Sequence, residues 1–175
     1  GGVIAIAARD FAVEQRQRRE IQNAFGQYLA PVMVKKIADD PSLLNLGGES
    51  RELTILFSDI RGFTSISEAM KGDPQGLTRM INAILTPLSN IIIDHGGTID
   101  KYMGDSIMAF WNAPLENHQH PKDAADAALQ MIIRLAALNA ELEAEAKAES
   151  RNFKALRVGI GLNTGICIVG NLGSE

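Results

Sequence analysis

The 175-residue chain has a single cysteine, Cys167. No internal disulfide can form, and a reducing cytosol is the simpler setting. It also lacks a basic excess. The formal net charge is −4, which argues against a nucleic-acid binder, whose footprint is basic. Long apolar runs are missing too. The opening Gly1-Gly-Val-Ile-Ala-Ile-Ala-Ala8 is apolar but far short of the ~20 residues that cross a bilayer. It reads either as the stub of a membrane helix or as a structureless start. Arg16, Arg18 and Arg19 follow, as positive charge just inside a membrane would or as a plain solvated face. There are no internal repeats and no low-complexity tracts. What remains, 46% hydrophobic and 22% charged residues, is ordinary globular composition, and the length suits one domain with an appendage.

Residues 9–38 read as a helix with Ile21, Phe25, Tyr28, Leu29 and Val32 as its apolar stripe, broken or restarted at Pro31. Asp39-Asp-Pro-Ser42 and Gly47-Gly48 mark a linker. The boundary is set near residue 48: residues 1–48 form a signalling or linker helix, and residues 49–175 a catalytic unit. Leu53–Ile60 is then a short buried strand. Asp73-Pro74 opens a helix as N-cap and first residue, with a kink expected at Pro87, and His95-Gly-Gly97 closes it. Thr98–Met103 and Ser106–Trp111 form a hairpin around Gly104-Asp105. A long helix runs from Lys122 to about Glu149, its acidic tail solvated. Leu156–Leu162 and Ile166–Val169 read as two further strands. From Leu53 the order is β-α-β-β-α-β, an α+β sandwich of the ferredoxin-like kind preceded by a helix.

Two aspartates sit where a carboxylate is costly unless something compensates its desolvation. Asp59 ends the strand of Ile55-Leu-Phe-Ser-Asp-Ile-Arg-Gly-Phe-Thr64, and Asp105 sits at the hairpin tip of Asp100-Lys-Tyr-Met-Gly-Asp-Ser-Ile-Met-Ala109. Ferredoxin-like order sets the first strand beside the hairpin, so the two can meet. Either alone reads as an Asp capping a turn. Together they suit two-metal phosphoryl chemistry with Mg²⁺ or Mn²⁺. The Ile60 carbonyl could complete a second metal position. The N–H groups of Gly62, Phe63 and Thr64 could cradle phosphate oxygens.

Elsewhere the readings are structural. His118 and His120, flanking Gln119, read as a polar loop rather than a metal pair, Cys167 is a small buried hydrophobe, and Phe110 and Trp111 pack at the sheet edge or a dimer surface. Met80, Met103, Met108 and Met131 fall at core positions.

The two Asp segments resemble the signature segments of class III adenylate cyclase catalytic domains. Phe25-Gly-Gln-Tyr-Leu-Ala-Pro31, His120-Pro-Lys-Asp-Ala-Ala-Asp126, Val158-Gly-Ile-Gly-Leu-Asn-Thr-Gly165 and Val169-Gly-Asn171 extend the resemblance from about residue 24 onward. It implies a nucleotidyl cyclase fold, with Asp59, Ile60 and Asp105 as metal ligands for two divalent cations. Lys101 then matches the lysine that reads adenine, whereas guanylate-forming relatives usually carry an acidic residue there. The reaction implied is attack of the ribose 3′-hydroxyl of ATP on the α-phosphate, giving cyclic AMP and pyrophosphate. A homodimer is implied, one subunit supplying the aspartates and the other the lysine. So is a cytoplasmic catalytic domain, its parent anchored if the opening residues are a membrane stub. The family also places an Asn and, four residues later, an Arg after the Val-Gly-Asn segment. The last arginine here is Arg157, so the expectation is a truncated piece of a longer cyclase that turns over poorly. The alternatives are a guanylate or diguanylate cyclase and a non-catalytic cyclase-like domain that binds nucleotide or dimerises. Against the diguanylate reading, the hairpin tip carries no Gly-Gly-Asp-Glu-Phe pattern.

Overall fold

In the computed structural model, residues 12–16, 19–20, 23, 26, 28–44 and 47–170 are described. The apolar opening, Arg18, Ile21, Phe25 and Asn171 lie outside them. The chain runs α1 (Pro31–Asp39), a 3₁₀ turn (Pro41–Leu44), β1 (Gly47–Ile60), α2 (Phe63–Ala69), α3 (Pro74–Asp94), β2 (Thr98–Met103), β3 (Ser106–Trp111), α4 (His120–Ala148) and β4 (Val158–Gly170). The four strands form one sheet in the order β2-β3-β1-β4, every neighbouring pair antiparallel. This is the ferredoxin-like order read from the sequence.

Alternation decides which face is covered. On β1, Thr54, Leu56, Ser58 and Ile60 are buried, as are Ile107, Ala109 and Trp111 on β3. Period-two burial puts these on one side of the pleat. Against them α3 lays Ile84, Leu85, Leu88 and Ile92, and α4 lays Ala124, Ala127, Met131, Leu135 and Leu138. Burying each large aliphatic side chain contributes about 1.5–3 kcal/mol. By length and composition α3 could also cross a membrane, but here it is a core helix.

Local signals explain the helix starts. The Asp73 carboxylate accepts the Gly76 N–H at 2.9 Å, and Pro74 occupies the first turn. The helix then passes Pro87 without interruption. In α1 the break at Pro31 holds, since Ala30 is extended and Pro31 opens the helix. The expected stripe is corrected there: Leu29 is buried, but Val32 is 62% exposed. Leu29, Val34 and Ile37 instead make a small second cluster with Met33 and Leu115. The Tyr28 carbonyl accepts the Ile99 N–H at 3.0 Å, tying this segment to β2.

Several expectations change. The strand expected at Leu53 begins at Gly47, and the two final strands are one 13-residue strand. β4 pairs along almost the whole of β1, and this ladder, with Thr54 and Thr164 hydroxyls 2.8 Å apart, overrides the turn chemistry of Asn163-Thr-Gly165. Trp111 is wholly buried rather than at an edge: its Nε1–H donates to the His95 carbonyl at 2.9 Å. Met131 is core, Met80 packs against it, Met108 is half-buried and Met103 is exposed. Cys167 is half-buried. His120 is not in a loop but starts α4, buried against β1.

Candidate functional site

The candidate site is built where β1 ends beside the β2–β3 tip. β1 and β3 pair from Thr54↔Trp111 to Ser58↔Ile107, so the residues just after Ser58 and just before Ile107 must come together. The tip itself is two residues, Gly104 and Asp105, between the paired Met103 and Ser106. Gly104 has φ of +60°, the first central position of a II′ turn, where glycine carries no steric penalty. Asp105 is thereby turned onto the end of β1. Its Oδ2 accepts the Ile60 N–H at 2.8 Å. The carboxylate is half-buried, and a charged acceptor makes this one of the stronger kinds of hydrogen bond.

Asp59 precedes that N–H and is exposed on the open face of the sheet. Its Oδ1 lies 3.7 Å from Arg61 Nε. The sequence alone assigns Arg61 no role. Its guanidinium lies against Gly159, the partner of Asp59 across the ladder; a Cβ there would fall 2.3 Å from Nη2. The bare glycine leaves the space that the arginine takes, a signal invisible without the pairing register.

The turn after Asp59 differs from the loop expected. Gly62, at φ +73°, caps the seven-residue α2, and no side chain caps this end. Phe63 packs its ring on the core while Thr64 is exposed. Lys101 sits elsewhere, on β2, with Nζ 3.5 Å from Asp100 Oδ2. Asp100 is the bulged residue that shifts the β2–β3 register before Lys101. Lys101 pairs with Met108, and Met108 with Phe57. Lys101 therefore shares the open face with Asp59 but is two strands away, ~10 Å across the sheet. Thus Asp59, Ile60 and Asp105 are brought together, the 62–64 turn follows directly, and Lys101 stands apart.

Among the described residues no three His, Cys, Asp or Glu side chains converge as a self-sufficient cage. Two carboxylates with backbone oxygens fit Mg²⁺ or Mn²⁺ better, because such ions keep several positions for water and substrate phosphates. No cationic side chain of the described residues pairs with Asp105, so its charge is left for another counter-ion.

A second polar cluster supports the scaffold. His120 Nε2 lies 3.1 Å from Glu52 Oε1, and Nδ1 lies 2.7 Å from Thr54 Oγ1. A carboxylate only accepts, so Nε2 carries a proton. In the neutral ring Thr54 then donates to Nδ1 and accepts from Thr164. The chain Glu52–His120–Thr54–Thr164 pins α4 to β1 and β4.

Residues 48–175 match the family described as the adenylate and guanylate cyclase catalytic domain. An adenylate cyclase of Anabaena cylindrica is 34% identical over 156 residues, 89% of this chain and 28% of that protein. Among solved structures, the adenylyl cyclase CyaB from P. aeruginosa is 34% identical with a TM-score of 0.66, covering 73% of this chain and 62% of that one. The guanylyl cyclase Cya2 is 36% identical with a TM-score of 0.65, covering 73% and 61%. The chain thus spans less than two thirds of each.

Proposed function

The chain belongs to the adenylate and guanylate cyclase catalytic domain family, and from that premise we propose that it converts ATP to 3′,5′-cyclic AMP and pyrophosphate. The observation that carries this reading is the 2.8 Å bond from the Ile60 N–H to Asp105, which holds a second carboxylate at the end of the strand that bears Asp59. In this reading Asp59, Asp105 and the Ile60 carbonyl hold two divalent cations. Bound there, Mg²⁺ or Mn²⁺ would acidify the ribose 3′-hydroxyl and offset charge on the triphosphate. The N–H groups of Gly62, Phe63 and Thr64 receive phosphate oxygens. The 3′-oxygen attacks the α-phosphorus, and the bond to the pyrophosphate oxygen breaks.

Lys101 favours ATP, because an ammonium donates to adenine N1, which accepts, and not to guanine N1–H. Its distance from Asp59 across the sheet supports a two-fold arrangement in which each subunit lends its lysine to the other's metal site. The open face carries exposed Phe57 beside Asp59, apolar surface that a second copy would cover. Residues 1–48 then form a signalling or linker segment and residues 49–175 the catalytic unit. An ATP-consuming domain of this kind works in the cytoplasm, whether or not its parent is anchored to a membrane.

Guanylate cyclase is the second reading, favoured by the likeness to Cya2. Turnover of ATP and GTP with Mn²⁺, measured on this chain and on the longest native chain containing it, separates the two. Cyclic AMP as the main product, lost in Asp59→Ala, is expected. Cyclic GMP in excess of cyclic AMP rejects the substrate assignment, and activity retained in Asp59→Ala rejects the metal assignment.

A further inference from the structure

A cavity of about 920 Å³ is bounded by the Arg61–Gly62 turn, α2, the start of α3, the end of α4 and the segment 151–156. Its volume lies within the ~300–1,000 Å³ typical of small-molecule sites. Its apolar lining includes Ile66, Met80, Leu142, Phe153 and Leu156. Four cationic residues line it: Arg61, Arg79, Arg151 and Lys154. Two acids face them, Asp73 and Glu145, and the Asp73 carboxylate is engaged as the cap of α3. Arg151 pairs with Glu149. Among the described residues no ion pair engages Arg79 or Lys154. The site therefore combines apolar lining with two cationic residues, Arg79 and Lys154, that no ion pair among the described residues engages.

We propose that this cavity binds a small amphipathic anion, an apolar body bearing one carboxylate, sulfonate or phosphate group, and that occupancy is transmitted to the metal-binding carboxylates through Arg61. The arginine belongs to both places. It lines the cavity, yet its Nε lies 3.7 Å from Asp59 Oδ1. An anion in the cavity competes with Asp59 for the guanidinium. Drawing that charge away removes a like charge from beside the position of a divalent cation, so anion and cation strengthen one another's binding, reciprocally. This second part rests on the cation reading of Asp59; the anion site itself does not.

The probe is 8-anilinonaphthalene-1-sulfonate, an aromatic body with one sulfonate, followed by its fluorescence on the folded chain. N-phenyl-1-naphthylamine offers nearly the same body without charge. One saturable site is expected, weakened at least tenfold in R79Q/K154Q and unchanged in K35Q, with the neutral probe at least tenfold weaker. Both substituted residues are exposed, so the fold is retained. Equal affinity in R79Q/K154Q, equal binding of the neutral probe, or a titration that never saturates would overturn the site. Saturating probe should also tighten Mn²⁺ binding about three- to tenfold in the parent chain and not in Arg61→Gln. Unchanged Mn²⁺ affinity overturns the coupling alone. Absence of Mn²⁺ uptake under any condition overturns the cation reading and the coupling with it, while the probe titration still decides the anion site.

Discussion

Substituting Asp105 separates what its carboxylate does for the fold from what it does for chemistry. Ile60 is 3% exposed and its N–H has the Asp105 carboxylate as acceptor at 2.8 Å. Asp105→Ala strands that donor, which should cost about 1–3 kcal/mol. Asp105→Asn keeps an acceptor oxygen in place and loses only its charge. The gap between charged and neutral hydrogen bonds puts that cost near 1 kcal/mol. For a chain of this size 1 kcal/mol moves Tm by roughly 2–4 °C. Urea and thermal unfolding in metal-free buffer should therefore rank parent, D105N, D105A in falling stability. Asp59→Ala provides the contrast. Its side chain is half-exposed, and among the described residues its ion-pair partner is Arg61; an exposed ion pair contributes little, so metal-free D59A should unfold much like the parent. Calorimetric titration with Mn²⁺ and a non-hydrolysable ATP analogue should nevertheless fail in all three variants. A D105A protein as stable as the parent would refute the structural half of the reasoning. Undiminished Mn²⁺ uptake by D105N would refute the chemical half.

Other consequences follow from named contacts. A Cβ at Gly97 would lie 2.6 Å from Ile92 Cγ2 and 2.7 Å from Trp111 Cζ2, so Gly97→Ala should destabilise by about 1–3 kcal/mol through overpacking, read by urea unfolding. His120→Ala removes the buried link between α4 and both long strands. It should cost about 1–3 kcal/mol and speed amide exchange along the Glu52–Thr54 ladder. Lys101→Glu reverses the donor–acceptor sense at the position proposed to read the base, so the ratio of ATP to GTP turnover should fall at least tenfold. An unchanged ratio would remove Lys101 from base recognition.

Much of the scaffold was legible because its cues are local. Asp73-Pro74, Gly104-Asp105 and His95-Gly-Gly97 each announce a boundary through capping or turn chemistry, and period-two burial on β3 follows the pattern Ile107, Ala109, Trp111. That Asp105 reaches the Ile60 N–H, one residue from Asp59, was legible only through topology, since nothing local brings a strand end to a hairpin tip. What was missed depends on pairing. The unbroken β4 needs β1 as its template, and Asn163-Thr-Gly165 reads as a turn without it. The short helix Phe63–Ala69 has too few residues for a periodic signal to emerge. His120 looked like a loop residue because its acceptors, Glu52 and Thr54, are on another element. The place of Arg61 over Gly159 required the register that sets Asp59 opposite that glycine.

Paramagnetic broadening locates a bound cation without relying on turnover. With α,β-methylene-ATP present and Mn²⁺ added in substoichiometric amounts, the amide signals of Asp59, Ile60, Gly62 and Asp105 should vanish first, while those of Leu135 and Leu138 in α4 persist. Broadening centred on any other part of the molecule, or none at these four amides, would contradict the shared cation site.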